Sequence, residues 1–111
     1  MVRLLLDKGA DVNARNPFGT TALAAALFKG HPEAAKILID KGADTNERDN
    51  YGTTILSQAA SRGYPEVVKL LLDKGAEVNA KNKDGSTALM TASIKGHRQI
   101  MDLLKAYGAK E

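Results

Sequence analysis

Apolar residues in this chain come in short runs with the spacing of one helix face. The clearest run within residues 49–81 is VVKLLL at 67–72, whose apolar side chains follow the i, i+1, i+3, i+4 spacing and leave Lys69 on the polar side. Pro65 precedes the run and suits a first helical position, while Gly75 follows it and suits the left-handed end of a helix. The pattern therefore predicts a helix between these two residues.

A shorter helix is predicted just before this one. Residues 49–53, DNYGT, are typical of a turn, and residues 54–60, TILSQAA, form a short helical segment opened by Thr54, a good N-cap. Gly63 ends the segment. Residues 49–81 are thus predicted to fold as a turn, two short helices and an extended loop.

The same order of signals recurs every 33 residues along the chain. Three columns of glycine keep this interval without slippage: Gly9, Gly42, Gly75 and Gly108; Gly19, Gly52 and Gly85; and Gly30, Gly63 and Gly96. A fixed period of this length predicts a stacked array, in which each unit buries its apolar face only against its neighbours.

This order of residues resembles the ankyrin repeat. The family's G-H-x-E-V-V-K-L-L-L-x-x-G-A-D-V-N-A pattern is visible at residues 63–80, GYPEVVKLLLDKGAEVNA. The resemblance implies an all-α solenoid of stacked helix-turn-helix units joined by β-hairpin-like loops. It covers residues 1–111 as one ankyrin repeat domain, with a partial repeat at 1–15 and repeats at 16–48, 49–81 and 82–111.

By the same resemblance, the stack presents a concave face of loop tips and first helices that binds protein partners. Two columns of basic residues and three aromatic residues border that face, and aromatic anchors beside arginine are typical of binding hot spots. The predicted partner is a protein or peptide of acidic or mixed charge. The predicted partner-binding residues are Arg15, Phe18, Phe28, Lys29, Arg48, Tyr51, Arg62, Lys81 and Lys95.

One part of the family pattern is replaced in every repeat. Residues 54–57 read TILS where the family has T-P-L-H, so its proline and histidine are absent. In the family that histidine ties neighbouring repeats together, and the resemblance therefore implies a missing layer of hydrogen bonds. The retained Thr21, Thr54 and Thr87 need other partners.

The two ends of the chain are predicted to differ. Residues 1–7, MVRLLLD, match part of a second helix and lack the first helix that would cover residues 2–6. Either the chain is the C-terminal piece of a longer array, or another molecule covers the stripe. We favour the first interpretation, with self-association through the stripe as an accompanying risk. At the other end, Lys105 and Glu111 stand in apolar columns and predict a polar cap.

Composition fits a small array with a core of aliphatic side chains. The 111 residues are 43% hydrophobic and only 5% aromatic, and they include no cysteine, so no disulfide is expected. The net charge of +3 is small and acidic residues are interspersed with the basic ones, so nucleic acid is not a favoured partner. No apolar run is long enough for a membrane span or a signal peptide, and we expect a cytoplasmic or otherwise intracellular location without membrane contact.

The sequence predicts no enzyme. His31 and His97 both begin a second helix, two periods apart, in the column that Tyr64 fills in between, and they are predicted to be structural. The glycines do not form a phosphate-binding loop, and the serines have no histidine at a neighbouring repeat position to act as a base. We therefore expect no catalytic residue, no cofactor and no metal.

A second function stays open at this point. The chain could be a structural or engineered repeat scaffold, or a truncated piece of a longer array, with no binding role of its own. The loop tips at 17–18, 50–51 and 83–84 differ from one another, which is typical of binding units. The irregular cores argue against a pure consensus design.

Overall fold

The computed structural model of the chain describes residues 21–49 and 52–110, and within these ranges it contains six α-helices and no strand longer than an isolated bridge. This agrees with the predicted all-α fold class. In chain order the helices are α1 (Ala22–Phe28), α2 (Pro32–Asp40), α3 (Ile55–Arg62), α4 (Pro65–Asp73), α5 (Ala88–Lys95) and α6 (Arg98–Ala106).

The chain divides into two compact units, at residues 1–44 and 45–111. In the first unit α1 packs on α2. In the second unit α3 packs on α4 and α5, while α6 packs on α4 and α5. The division of the chain into repeats at 16–48, 49–81 and 82–111 stays a prediction.

The first helix of each described repeat begins at a threonine, as the sequence predicts. Each threonine has an extended backbone, and its hydroxyl oxygen accepts a hydrogen bond from the backbone N–H three residues later, the usual geometry of an N-cap. These bonds also supply the partners that the threonines need in the absence of the family's histidine. They join Thr21 to Ala24 at 3.2 Å, Thr54 to Ser57 at 3.1 Å and Thr87 to Met90 at 3.3 Å.

Glycine ends two of these first helices. Gly63 follows α3 with φ of 80°, and Gly96 follows α5 with φ of 73°. Both are left-handed conformations that residues with a Cβ atom resist. The second helices α2 and α4 begin at Pro32 and Pro65. The N–H group that proline lacks would have no partner within the helix at this first position, so no helical hydrogen bond is lost.

The core of residues 45–111 consists of aliphatic side chains and alanines, as the composition predicts. Ala59 and Ala92 lie in the same column of α3 and α5 and are fully buried, so these two helices can approach closely. No buried polar side-chain atom in the described part of the chain lacks a hydrogen-bond partner. The larger core residues are Ile55, Leu56, Val67, Val68, Leu71, Leu72, Leu89, Ile100 and Leu104.

Asparagines tie each loop to the loop one repeat later. The Oδ1 atom of Asn46 accepts a hydrogen bond from the backbone N–H of Glu77 at 2.9 Å. The amide of Asn79, one period further on, accepts from the N–H of Lys110 at 2.8 Å and donates to the carbonyl of Gly108 at 3.1 Å. Asn46 and Asn79, the two described members of the repeated asparagine column, therefore have a structural role.

Candidate protein-binding surface

The loop before α3 has the form of a short hairpin. Arg48 and Thr54 form an antiparallel bridge. Asp49 closes the loop twice, because its N–H donates to the Thr53 carbonyl at 3.0 Å and its Oδ1 accepts from the Thr53 N–H at 2.9 Å. Asn82 makes the matching pair of bonds with Ser86 one repeat later, both at 2.9 Å. The two loops are thus closed by the same pair of hydrogen bonds, although their tips differ in sequence.

Arg48 binds the next loop with its guanidinium group. Its Nη1 atom donates to the carbonyl of Lys81 at 2.8 Å and to that of Gly52 at 3.4 Å, and Nη2 lies 4.0 Å from the Glu77 carboxylate. The structure therefore brings together two predicted site residues, Arg48 and Lys81, through the backbone of the second. Because these donors are engaged inside the chain, Arg48 has a structural role as well as a charge at the surface.

The C-terminal ends of the first helices carry exposed apolar side chains next to cations. Phe28 at the end of α1 is 72% exposed and Lys29 follows it; Ile94 at the end of α5 is 82% exposed and Lys95 follows it. In α3 the same two positions hold Ser61 and the exposed Arg62. We call residues 28–29, 61–62 and 94–95 the helix-end positions.

The other predicted site residues are only partly described. Lys81 and Lys95 are exposed, as expected. Arg15, Phe18 and Tyr51 lie outside the described residues. The nine-residue site as a whole stays a prediction.

The prediction from sequence leaves out Ile94, the most exposed large apolar side chain in the part of the chain that the structure describes. It also leaves out Met90, which is 43% exposed on α5. A signal for Ile94 is present in the sequence, because Ile94 stands in the same column as Phe28. No such signal exists for Met90, whose column holds small residues in the other repeats.

His97 contacts the preceding repeat. Its Nε2 atom lies 3.3 Å from the carbonyl oxygen of Ser61, and its ring lies close beside Gly63, where a Cβ atom would come within 2.9 Å of Cε1. This contact agrees with a structural role for the residue.

Among residues 21–49 and 52–110, no three acidic or histidine side chains are grouped to hold a metal ion. None of the helices in those ranges has the length and apolar character needed to cross a membrane.

A small polar cluster joins α4 to the end of α6. The Asp73 carboxylate accepts hydrogen bonds from the Tyr107 hydroxyl and from Lys69 Nζ, the latter at 2.9 Å. These two hydrogen bonds, of which the Tyr107 bond has the larger effect, lower the pKa of Asp73 below its ordinary value. The bond to Asp73 is also the main cause that raises the pKa of Tyr107.

Replacing Asp73 with asparagine is expected to lower stability at neutral pH and to change its pH dependence. The Asp73 pKa is lower in the folded chain, so the carboxylate stabilises the fold above its unfolded pKa of about 3.9, and this is lost as the pH falls through the folded pKa. The Tyr107 pKa is raised, so its contribution is complete below about pH 10 and is lost as the pH rises through the folded pKa. The deficit of the variant should therefore shrink at both ends of the pH range.

Urea unfolding of the unsubstituted chain and of the Asp73→Asn variant across the pH range measures this loss of stability. Asp40→Asn is the matched control, because Asp40 ends α2 as Asp73 ends α4. Identical pH profiles for the two variants would show that the cluster does not contribute.

Comparison with known families gives one match. The family model described as ankyrin repeats, with three copies, matches residues 1–82 and 50–111, which together span the chain. No curated protein was found to be similar to it.

Proposed function

The chain belongs to the ankyrin repeat family, and on that premise we propose that it is a non-catalytic module that binds a protein or peptide partner. Ankyrin repeats generally serve as protein–protein interaction modules and are typically non-catalytic. Each compact unit carries its own part of the proposed surface: residues 28–29 in the first, and residues 61–62 and 94–95 with the loop tips before α3 and α5 in the second. The exposure of Phe28 and Ile94 at the same position of two repeats is the observation that carries this assignment.

The helix-end positions offer the chemistry of a binding hot spot. Single exposed apolar residues are common on protein surfaces, but here the exposure recurs in register and each apolar side chain precedes a lysine. On binding, a large apolar group can be desolvated, while the cation beside it meets a carboxylate of the partner. Phe28 is 72% exposed and Ile94 is 82% exposed, so most of the surface of each side chain can contact a partner.

Charge favours an acidic partner. Lys29, Arg62 and Lys95 are exposed at the ends of three first helices, and Arg15, Arg48 and Lys81 repeat in the loops before them. The apolar anchors of the proposed surface are Phe18, Phe28, Tyr51 and Ile94. A partner segment with carboxylates flanking an aliphatic or aromatic side chain fits both features.

Selection of a random peptide library against the immobilised chain tests this function. The selected peptides are expected to combine acidic with apolar residues. Ile94→Ala should raise the off-rate and weaken binding by about 1–3 kcal/mol, while Lys95→Ala should mainly slow association and flatten its salt dependence.

Matched changes on the second helices serve as controls. Ile37→Ala removes a partly exposed isoleucine from α2, and Asp102→Asn alters an exposed charge on α6. Both should leave affinity unchanged. If these changes abolish binding while Ile94→Ala and Lys95→Ala do not, the proposed surface is wrong.

Three further features of the proposed module rest on the sequence alone. Residues 1–7 lie outside the described residues, so self-association through their apolar stripe stays a prediction. An intracellular location and the absence of a membrane partner stay predictions as well. The predicted location rests on the lack of cysteine, which suits a reducing compartment.

A further inference from the structure

His97 lies between the two helix-end positions of the second unit. Residues 61–62 end α3 and residues 94–95 end α5. His97 follows the second pair by two residues, and its backbone N–H donates to the Ala92 carbonyl of α5 at 2.9 Å. Its side chain reaches the first pair, since Nε2 lies 3.3 Å from the Ser61 carbonyl oxygen. The residue is thus fixed to α5 by its backbone and contacts the end of α3 with its ring.

The hydrogen bond between His97 and Ser61 runs in one direction. A carbonyl oxygen only accepts, so the Nε2 atom of His97 carries the hydrogen and donates it. In a continuing helix the donor to the Ser61 carbonyl would be the N–H of residue 65, but Pro65 has none and begins α4. His97 therefore supplies a donor to a helix-end carbonyl that Pro65 cannot satisfy.

The His97 ring also limits how closely the two helix ends can approach. A Cβ atom on Gly63 would come within 2.9 Å of Cε1 and 3.1 Å of Nε2, so the ring lies against the backbone that follows α3. The hydrogen bond to Ser61 limits the separation of the same two parts. Contact and hydrogen bond together set the spacing between the end of α3 and the end of α5.

We propose that His97 is a positioning residue of the binding surface, which holds residues 61–62 at a fixed distance from residues 94–95 so that one partner segment contacts both pairs. This role rests on the proposed function. Because α3 and α5 pack on each other, and packed helices lie about 8–10 Å apart, a short segment of a partner spans both pairs. A surface that already has its bound spacing loses less conformational entropy on binding than one whose two parts move independently.

Electron paramagnetic resonance measures the spacing without any partner. The chain has no cysteine, so spin labels on Arg62→Cys and Lys95→Cys report on these two helix ends alone. His97→Leu keeps most of the bulk of the side chain and removes the donor, while His97→Gln keeps an N–H group near the place of Nε2. We expect a broader distance distribution for His97→Leu and an unchanged one for His97→Gln. Equal distributions for the native chain and His97→Leu would overturn the proposal.

Peptides selected from the random library test whether a partner uses this spacing. His97→Leu should weaken the affinity for a peptide that contacts both pairs by about tenfold, and His97→Gln should keep it. Two shorter peptides, one with the residues that contact 61–62 and one with those that contact 94–95, should bind the native chain and His97→Leu with equal affinity. A purely structural role for His97 would weaken the shorter peptides as well, and that result would contradict the positioning role.

A control variant separates lost positioning from lost stability. Asp73→Asn lowers stability through the polar cluster at the end of α4, and it should leave both the distance distribution and the affinity unchanged. Circular dichroism melts show whether each variant keeps its fold. If the library yields no peptide, the proposed function fails, while the spin-label distances still decide whether His97 sets the spacing. If peptides bind His97→Leu as tightly as the native chain, the proposed function stands and the positioning role is wrong.

Discussion

Leu71→Ala is expected to lower the free energy of unfolding by about 2–5 kcal/mol, the range for removing a fully buried leucine from a packed core. Leu71 lies on α4, where α3 and α6 both pack against that helix. A domain of this size has a total stability of about 5–15 kcal/mol, so the loss is a large fraction of it. Urea unfolding followed by circular dichroism at 222 nm measures the change.

The neighbouring residue provides the control for this substitution. Leu70→Ala removes the same atoms from the same helix, but Leu70 is only partly buried and its loss should cost clearly less. Equal losses for the two variants would mean that helix propensity, and not packing against α3 and α6, determines the stability of α4.

Gly63→Ala is expected to lower the free energy of unfolding by about 2–3 kcal/mol. Roughly 1–2 kcal/mol comes from placing a Cβ atom on a left-handed residue with φ of 80°. Roughly 1 kcal/mol more comes from displacing the His97 ring, which a Cβ atom would approach to 2.9 Å, and from weakening its hydrogen bond to the Ser61 carbonyl. Thermal or urea unfolding gives the size of the loss.

Gly96→Ala separates these two causes. Gly96 has the same left-handed conformation at the end of α5, and an added Cβ atom there meets nothing within 4 Å. It should therefore show only the conformational part of the loss. In a His97→Ala background, Gly63→Ala should fall to the cost of Gly96→Ala, and an undiminished cost would refute the role of the ring.

The sequence predicts the helices of the described repeats well because their signals are local. Thr54 at the start of α3 and Gly63 at its end act on backbone groups within four residues, and both work as expected. Periodicity then transfers the same assignment to α5. The aliphatic character of the core follows in the same way, since the i, i+3, i+4 pattern of α4 is visible in any single repeat.

The contacts between repeats are less visible in the sequence. The column of Arg48 predicts a binding residue, but its hydrogen bond to the Lys81 carbonyl spans 33 residues, which no local pattern reports. Met90 and Ser57 share one column, but Met90 is 43% exposed and Ser57 is buried. Burial of this kind depends on contacts with a neighbouring repeat, so the column alone could not predict it.

The asparagine ties have a consequence for how residues 45–111 would respond to force. Asn46 and Asn79 each bind a loop to the next loop, and the Arg48 guanidinium does the same. All these hydrogen bonds join adjacent repeats, and none spans the whole unit. A force applied at the C-terminal end would break the hydrogen bonds of Asn79 first and that of Asn46 afterwards. The unit should then unfold in steps of one repeat, and each step should release 33 residues or roughly 110 Å of chain.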